Sequence, residues 1–287
     1  MPWVFVLIWS TGFVVARYGM PHAPPMSFLA IRYALSVLVF VGWVAVSKAT
    51  WPRSRSQWMH LAVSGALMHA GYLGGVWTAV KLGIGAGTVA LLVSLQPVLT
   101  ALWISATTGN DDPSRARVSS RQWLGLCMGL LGITMVVWHK LFDGEITLLN
   151  LTCAALALAS ITCGTLYQKR NLVGSDVRTG NAIQLLAAFV VTLPLAMLET
   201  EPIRWHPQMV GALMWSVFAL SLGGSSLLYL LIQSGAATQV TSLLYLVPPC
   251  TALMAWWLFD EALTWPMLAG TMLTVVGVAW VVRGTAR

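Results

Sequence analysis

Charge is what this sequence is shortest of. Only 9% of its 287 residues are Asp, Glu, Lys or Arg, against about a quarter in a soluble domain, so the chain has too little charge to coat itself against water. All nine acidic residues (Asp111, Asp112, Asp143, Glu145, Asp176, Glu199, Glu201, Asp260 and Glu261) fall between apolar runs or at their ends. That placement argues against a carboxylate proton relay. It also argues against hydrolysis or phosphoryl transfer inside a bilayer, which needs an acid, a base or a metal cluster there. No phosphate loop is present, because the glycines from Gly83 to Gly87 are followed by no Gly-Lys-Ser/Thr. The four cysteines (Cys127, Cys153, Cys163 and Cys250) sit in apolar runs without CxxC or Cys/His spacing. They read as small core residues, and the sequence supports neither a disulfide nor a metal or other cofactor.

What the chain has instead is apolar length: 57% of its residues are hydrophobic. Ten runs are long enough to span, since a helix needs roughly 20 residues to cross the hydrocarbon. They are Trp3–Tyr18, Met26–Val46, Trp58–Val80, Gly85–Thr107, Gln122–Trp138, Leu148–Gln168, Thr179–Leu198, Val210–Gln233, Ala236–Phe259 and Trp265–Val282. The expected fold class is an all-α membrane protein with ten transmembrane helices. The first run has no basic segment before it and no small-residue cleavage site, so it is expected to stay as a span. The net charge of +7 is carried by Lys and Arg between the runs, where it reads as a topology signal and not as a nucleic-acid surface.

The chain also repeats itself. Gly83 to Pro97 (GIGAGTVALLVSLQP) and Gly235 to Pro249 (GAATQVTSLLYLVPP) share length and punctuation at an offset of 152 (235 − 83 and 249 − 97). Carried upstream, that offset sets Trp77 on Tyr229, Arg32 on Gln184 and Gly12 on Gly164; downstream, Gly125 and Gly132 fall on Gly270 and Gly277 at an offset of 145. A duplication of this kind decides the fold. It predicts a first five-helix unit over 1–141 and a second over 142–287. With the N-terminus cytoplasmic, eleven Lys and Arg lie inside and four (Arg17, Lys81, Lys140, Arg204) outside, so both termini are expected in the cytoplasm. Five spans per unit then turn the second unit upside down. Inverted repeats are a transporter architecture, with substrate bound near the midplane between the halves.

Trp9 to Phe13 (WSTGF), the Ala30-Ile31-Arg32 step in the second run, and Thr241 to Val282, with its proline, Glu261 and glycine-spaced last span, resemble the EamA-type members of the drug/metabolite transporter superfamily. The YddG-type aromatic amino-acid exporters are the most similar group. Gly109, Asn110 and Asp111 stand where the family has a cleaner Gly-Glu in its first half. The resemblance implies an inner-membrane carrier that exports amino acids, aromatic or otherwise apolar, by alternating access. A carrier of the same fold for a drug cation or nucleotide sugar, or a non-transporting membrane subunit, are the alternatives. Partners reduce to a small-molecule substrate and the lipid bilayer, with a monomer or homodimer in the membrane.

Polar groups in the runs must face one another or a wet cavity. His69 and Tyr72 share a face of the third run with Val76 and Val80, and the repeat puts Ser221 on the matching face of the eighth, with Ser225 beside it. Tyr229 is the mate of Trp77. Ser242 and Tyr245 follow helical spacing in the ninth run. Trp9, Thr11, Phe13, Thr162, Tyr167 and Gln168 are the candidates on the first and sixth, and Gln96 and Gln184 are amides within spans. Each has a plainer reading: hydroxyls as helix–helix glue, His69 as a neutral core histidine, and Arg32 as a snorkelling or structural cation rather than a substrate contact. Pro97, Pro248 and Pro249 recur at one repeat position, as kinks or as a gating hinge.

Overall fold

The computed structural model describes residues 2–107, 120–142, 144–172, 176–224, 227 and 246–285. Among the described residues every regular element is helical. The helices are α1 (Pro2–Gly19), α2 (Pro25–Ser47), α3 (Arg55–Gly65), α4 (Tyr72–Lys81), α5 (Ala86–Val93), α6 (Gln96–Thr107), α7 (Ser120–Phe142), α8 (Leu148–Asn171), α9 (Val177–Leu198), α10 (Pro207–Trp215), α11 (Val247–Phe259) and α12 (Trp265–Thr285). A π-helical segment, Ala66–Gly71, joins α3 to α4, and a second, Ser216–Gly224, continues α10. The caps are encoded locally. Ser54 accepts from the Gln57 amide, Thr147 and Asn150 form a reciprocal capping box, Asp176 caps α9, and prolines open α2 and α10. Glu199 caps α2 from a distance: its carboxylate accepts from the Met26 and Ser27 amides at 2.9 and 2.7 Å.

Four described helices combine the length and hydropathy of a span, and shorter apolar helices accompany them. One expected span is broken. The run Gly85–Thr107 forms α5 and α6, with Ser94 and Leu95 between them. Pro97 has no N–H to donate, and its ring collides with the carbonyl four residues back, so the chain turns and Pro97 sits in the first turn of a new helix. Pro248 and Pro249 occupy the same place in α11. The prolines therefore sit in the first turns of α6 and α11. The end of the expected eighth run and the start of the ninth lie outside the described residues, as do Ser225, Tyr229, Ser242 and Tyr245.

The packing follows the repeat. The most extensive contacts are α7 on α12 and α2 on α9, each a helix on its counterpart in the other half, and α5 packs on α11, the counterpart of α6. α3 and α4 lie on α8, and α1 lies on α10 and its π segment, which is the same contact with the halves exchanged. The α7–α12 and α2–α9 pairs run antiparallel. A Cβ on Gly132 would stand 2.4 Å from the Gly270 carbonyl oxygen, and one on Gly277 2.4 Å from that of Gly125, so positions rise along α7 as they fall along α12. On α2 and α9 the same is true: Ser27 meets Glu199 at one end, and Thr179 donates to the Thr50 carbonyl at the other.

The interior is built from large buried side chains, among them Phe5, Phe28, Tyr33 and Trp77, with Phe28 and Trp77 stacked at 4.5 Å. The exterior is also apolar: Leu38, Val46, Phe142, Leu148, Leu198 and Trp257 are exposed. A water-soluble monomer rarely shows so much contiguous apolar surface; lipid accounts for it. Trp51, Trp58, Trp123, Trp138, Trp205 and Trp265 are all exposed near helix ends, as an interfacial belt requires.

Candidate functional site

Two adjoining cavities open among α1, the Ala66–Gly71 π segment, α4, α5, α6, α8 and α11. The first, about 90 Å³, is lined by Trp9, Gly12, Phe13, Arg32, Met68, His69, Tyr72, Leu73, Val76, Trp77, Ile161, Leu185, Leu220 and Ser221. The second, about 110 Å³, reaches from Phe5 to the starts of α6 and α11 and is lined there by Ser94, Gln96, Pro97, Val247 and Pro248. Trp9, Phe13, Tyr72 and Ile161 line both. Each has room for several waters, at roughly 10–15 Å³ apiece, or for part of a small organic solute.

Part of the lining is related by the sequence repeat. Trp9 and Ile161, Met68 and Leu220, His69 and Ser221, and Gln96 and Pro248 are each 152 residues apart (161 − 9, 220 − 68, 221 − 69 and 248 − 96). Both π segments occupy this place in their halves. A π turn spaces its hydrogen bonds one residue wider than an α turn, and such turns gather at functional sites. Here the loosened backbone is caught by side chains. Tyr33 donates to the His69 carbonyl at 2.9 Å, and Ser221 Oγ donates to the Ser216 carbonyl at 3.0 Å.

The walls are mostly aromatic, with polar groups at chosen points. Trp9 packs at 5.3 Å on Phe5. Gln96 closes part of the second cavity by donating its amide to Thr165 Oγ1 at 2.8 Å. The Arg32 Nε and Nη2 atoms lie 3.4 and 3.3 Å from Ser221 Oγ, which accepts from them. Arg32 entered the sequence reading mainly as a structural cation; its place in the wall follows from α2 and the second π segment packing together, a contact no linear spacing encodes.

Of the sequence candidates, Trp9, Phe13, His69, Tyr72, Trp77, Gln96, Ser221, Pro97 and Pro248 come together around the cavities. Others serve helix contacts. Thr11 accepts from Trp215 Nε1 at 2.9 Å, on the α1–α10 contact. Thr162 back-bonds to Leu158. Tyr167 and His60 share a 2.7 Å hydrogen bond between α8 and α3, and Gln168 lies one residue on toward the end of α8. The backbone of Gln184 presses on α3 at Gly65, where a Cβ would stand 2.2 Å from its carbonyl oxygen. Pro249 is half-buried in the first turn of α11.

Among the described residues, no acid lines either cavity. Glu145 accepts from the Gly85 amide at 2.8 Å and pairs with Lys140, while Glu261 accepts from the Ala86 amide at 3.1 Å and lies 4.0 Å from Arg17. Two carboxylates thus cap the start of α5, each from a segment that follows another helix. Lys81 pairs with Glu201, and Arg178 with Asp176.

The EamA-like transporter family matches this sequence twice, over residues 3–138 and 148–283. Among curated proteins, the chain is 26% identical to the uncharacterized transporter YvbV of Bacillus subtilis, over 96% of this chain and 88% of that protein. It is 22% identical to a probable amino-acid metabolite efflux pump of Salmonella typhimurium, over 98% and 95%. It is 26% identical to the uncharacterized inner membrane transporter YedA of Escherichia coli, over 94% and 86%. One solved chain, described only as the crystal structure of a protein, superposes with a TM-score of 0.67 at 15% identity, covering 100% of this chain and 97% of that one.

Proposed function

The chain belongs to the EamA-like transporter family, and on that premise we propose that it exports amino acids, aromatic or otherwise apolar, across a bacterial inner membrane. The carrier is read as ten spans in two inverted units, residues 1–141 and 142–287, with both termini cytoplasmic. Antiparallel packing of α7 on α12 and of α2 on α9 supports the inversion. The cavity alternates between the two sides as the units rock about it.

The observation that carries the cargo class is the lining: walls rich in aromatic side chains, with few polar points. Rings stack on such walls while a polar end is hydrogen-bonded. Two relatives named "probable amino-acid metabolite efflux pump", from Salmonella typhimurium and Escherichia coli, point the same way. A nucleotide sugar needs several cavity cations, and a drug cation needs an acid; among the described lining residues there is one arginine and no carboxylate. Transport then runs down the substrate gradient without a carboxylate relay. The test is purified protein in proteoliposomes, assayed for uptake of labelled Trp, Phe, Thr and a nucleotide sugar with and without a pH gradient. Saturable Trp and Phe uptake at either setting is expected. Preferred uptake of the nucleotide sugar, or flux that follows the pH gradient alone, would overturn the reading.

A further inference from the structure

The most demanding group in the interior is Arg32. It is 6% exposed, lines the first cavity, and its only hydrogen-bond partner among the described residues is the neutral Ser221 hydroxyl, which receives two of the five guanidinium N–H groups over a long 3.3–3.4 Å. Every described acid that makes an ion pair does so elsewhere: Glu145 with Lys140, Glu201 with Lys81, Asp176 with Arg178, and Glu261 near Arg17. Glu199 is spent on the N-terminus of α2, and no acidic residue occurs anywhere from 202 to 259. A buried cation without a counter-charge is costly, and inside a membrane bundle such a group marks a function.

We propose that Arg32 receives the carboxylate of the cargo in the first cavity, with Ser221 holding one edge of the guanidinium so that its free N–H groups face the solute. The inference rests on the amino-acid reading above and narrows it: the cargo presents a single carboxylate beside an aromatic or apolar group. A planar guanidinium matches a carboxylate with two parallel hydrogen bonds. Trp9, Phe13, Tyr72 and Trp77 surround the same space and take the apolar part. One arginine balances one negative charge, which excludes polyanions.

Binding to the full-length chain in detergent, measured calorimetrically, tests this. The probes are L-phenylalanine, L-phenylalaninamide, phenethylamine and 3-phenylpropionate. On the unmodified chain, removing the carboxylate is expected to weaken binding about 10- to 100-fold, the range for a charged hydrogen-bonded contact. R32Q is expected to bring L-phenylalanine down to the affinity of phenethylamine while leaving phenethylamine unchanged, with R32K between the two. Equal affinity for L-phenylalanine and its amide on the unmodified chain overturns the proposal even if R32Q does not fold. So does a folded R32Q that binds L-phenylalanine as before. The amino-acid reading fails separately: 3-phenylpropionate binding without L-phenylalanine binding supports the Arg32 site and removes that reading. Binding of none of the carboxylates overturns both.

Discussion

Replacing Gly132 with alanine probes the contact that fixes how the two halves meet. The added methyl would stand 2.4 Å from the Gly270 carbonyl oxygen, 2.5 Å from Thr274 Oγ1 and 2.8 Å from the Thr274 amide nitrogen. Two of these are backbone atoms, so the helices themselves must part. The natural control is Gly42, also within a long helix, whose Cβ would meet nothing within 4 Å. Both substitutions share the helix-propensity gain of glycine to alanine, about 0.5–1 kcal/mol. The difference between them therefore isolates the close approach, which overpacking data put at about 1–3 kcal/mol. In thermal unfolding of the detergent-solubilised protein, G42A is expected to be neutral or stabilising and G132A to melt several degrees lower. G270A faces the Gly132 carbonyl oxygen at 2.5 Å and is expected to behave like G132A. If G132A and G42A melt alike, the antiparallel seam between α7 and α12 is wrong.

Other substitutions separate support from binding. Trp77, 1% exposed and stacked on Phe28, is expected to cost about 3–5 kcal/mol as W77A. Half-buried Trp9, which lines both cavities, is expected as W9A to weaken L-phenylalanine binding about tenfold, with a smaller loss in melting temperature. E199Q removes charge from the cap on α2, and a loss of about 0.5–2 kcal/mol is expected, read as a lower melting temperature; an unchanged melt would remove Glu199 from that role. The Arg178 side chain, hydrogen-bonded to Asp176, holds that carboxyl below its ordinary range. Its contribution to stability is therefore present above an unfolded carboxylate's pKa of about 3.9 and is lost as pH falls through the lower folded value. D176N, which keeps an N-cap side chain, is expected to lower the neutral plateau of a stability–pH curve and flatten its acid limb, with no change below the folded pKa, where the native carboxyl is already protonated.

Much of this architecture was legible in the residues, because the duplication is written in glycine and proline spacing. Gly125, Gly132, Gly270 and Gly277 mark the α7–α12 seam in the sequence, and the structure uses three of these four positions as contact points where a Cβ would strike backbone, with the Gly125 carbonyl as the fourth. Periodicity placed His69, Tyr72 and Trp9 on inward faces. It failed where the backbone leaves the α period. A π turn adds a residue without any composition signal, so the segments at Ala66–Gly71 and Ser216–Gly224 were invisible, and a strong proline signal read as a kink was the start of α6. Tyr167 shows another limit. A polar residue within an apolar run announces a partner, but only the fold says whether it is a solute or, as here, His60 on the neighbouring helix. Arg32 shows the reverse: its neighbours supply too little for a buried charge.

The central claim is one chamber reached in turn from both sides. Ile161, on α8, lines both cavities, so I161C in a chain whose four native cysteines are replaced by serine reports on that space. A membrane-impermeant maleimide, added from either face of reconstituted vesicles, is expected to modify the cysteine from both, with L-phenylalanine slowing each reaction. Modification from one face only, or labelling from both that L-phenylalanine does not slow, would contradict an alternating, substrate-filled cavity between the two halves.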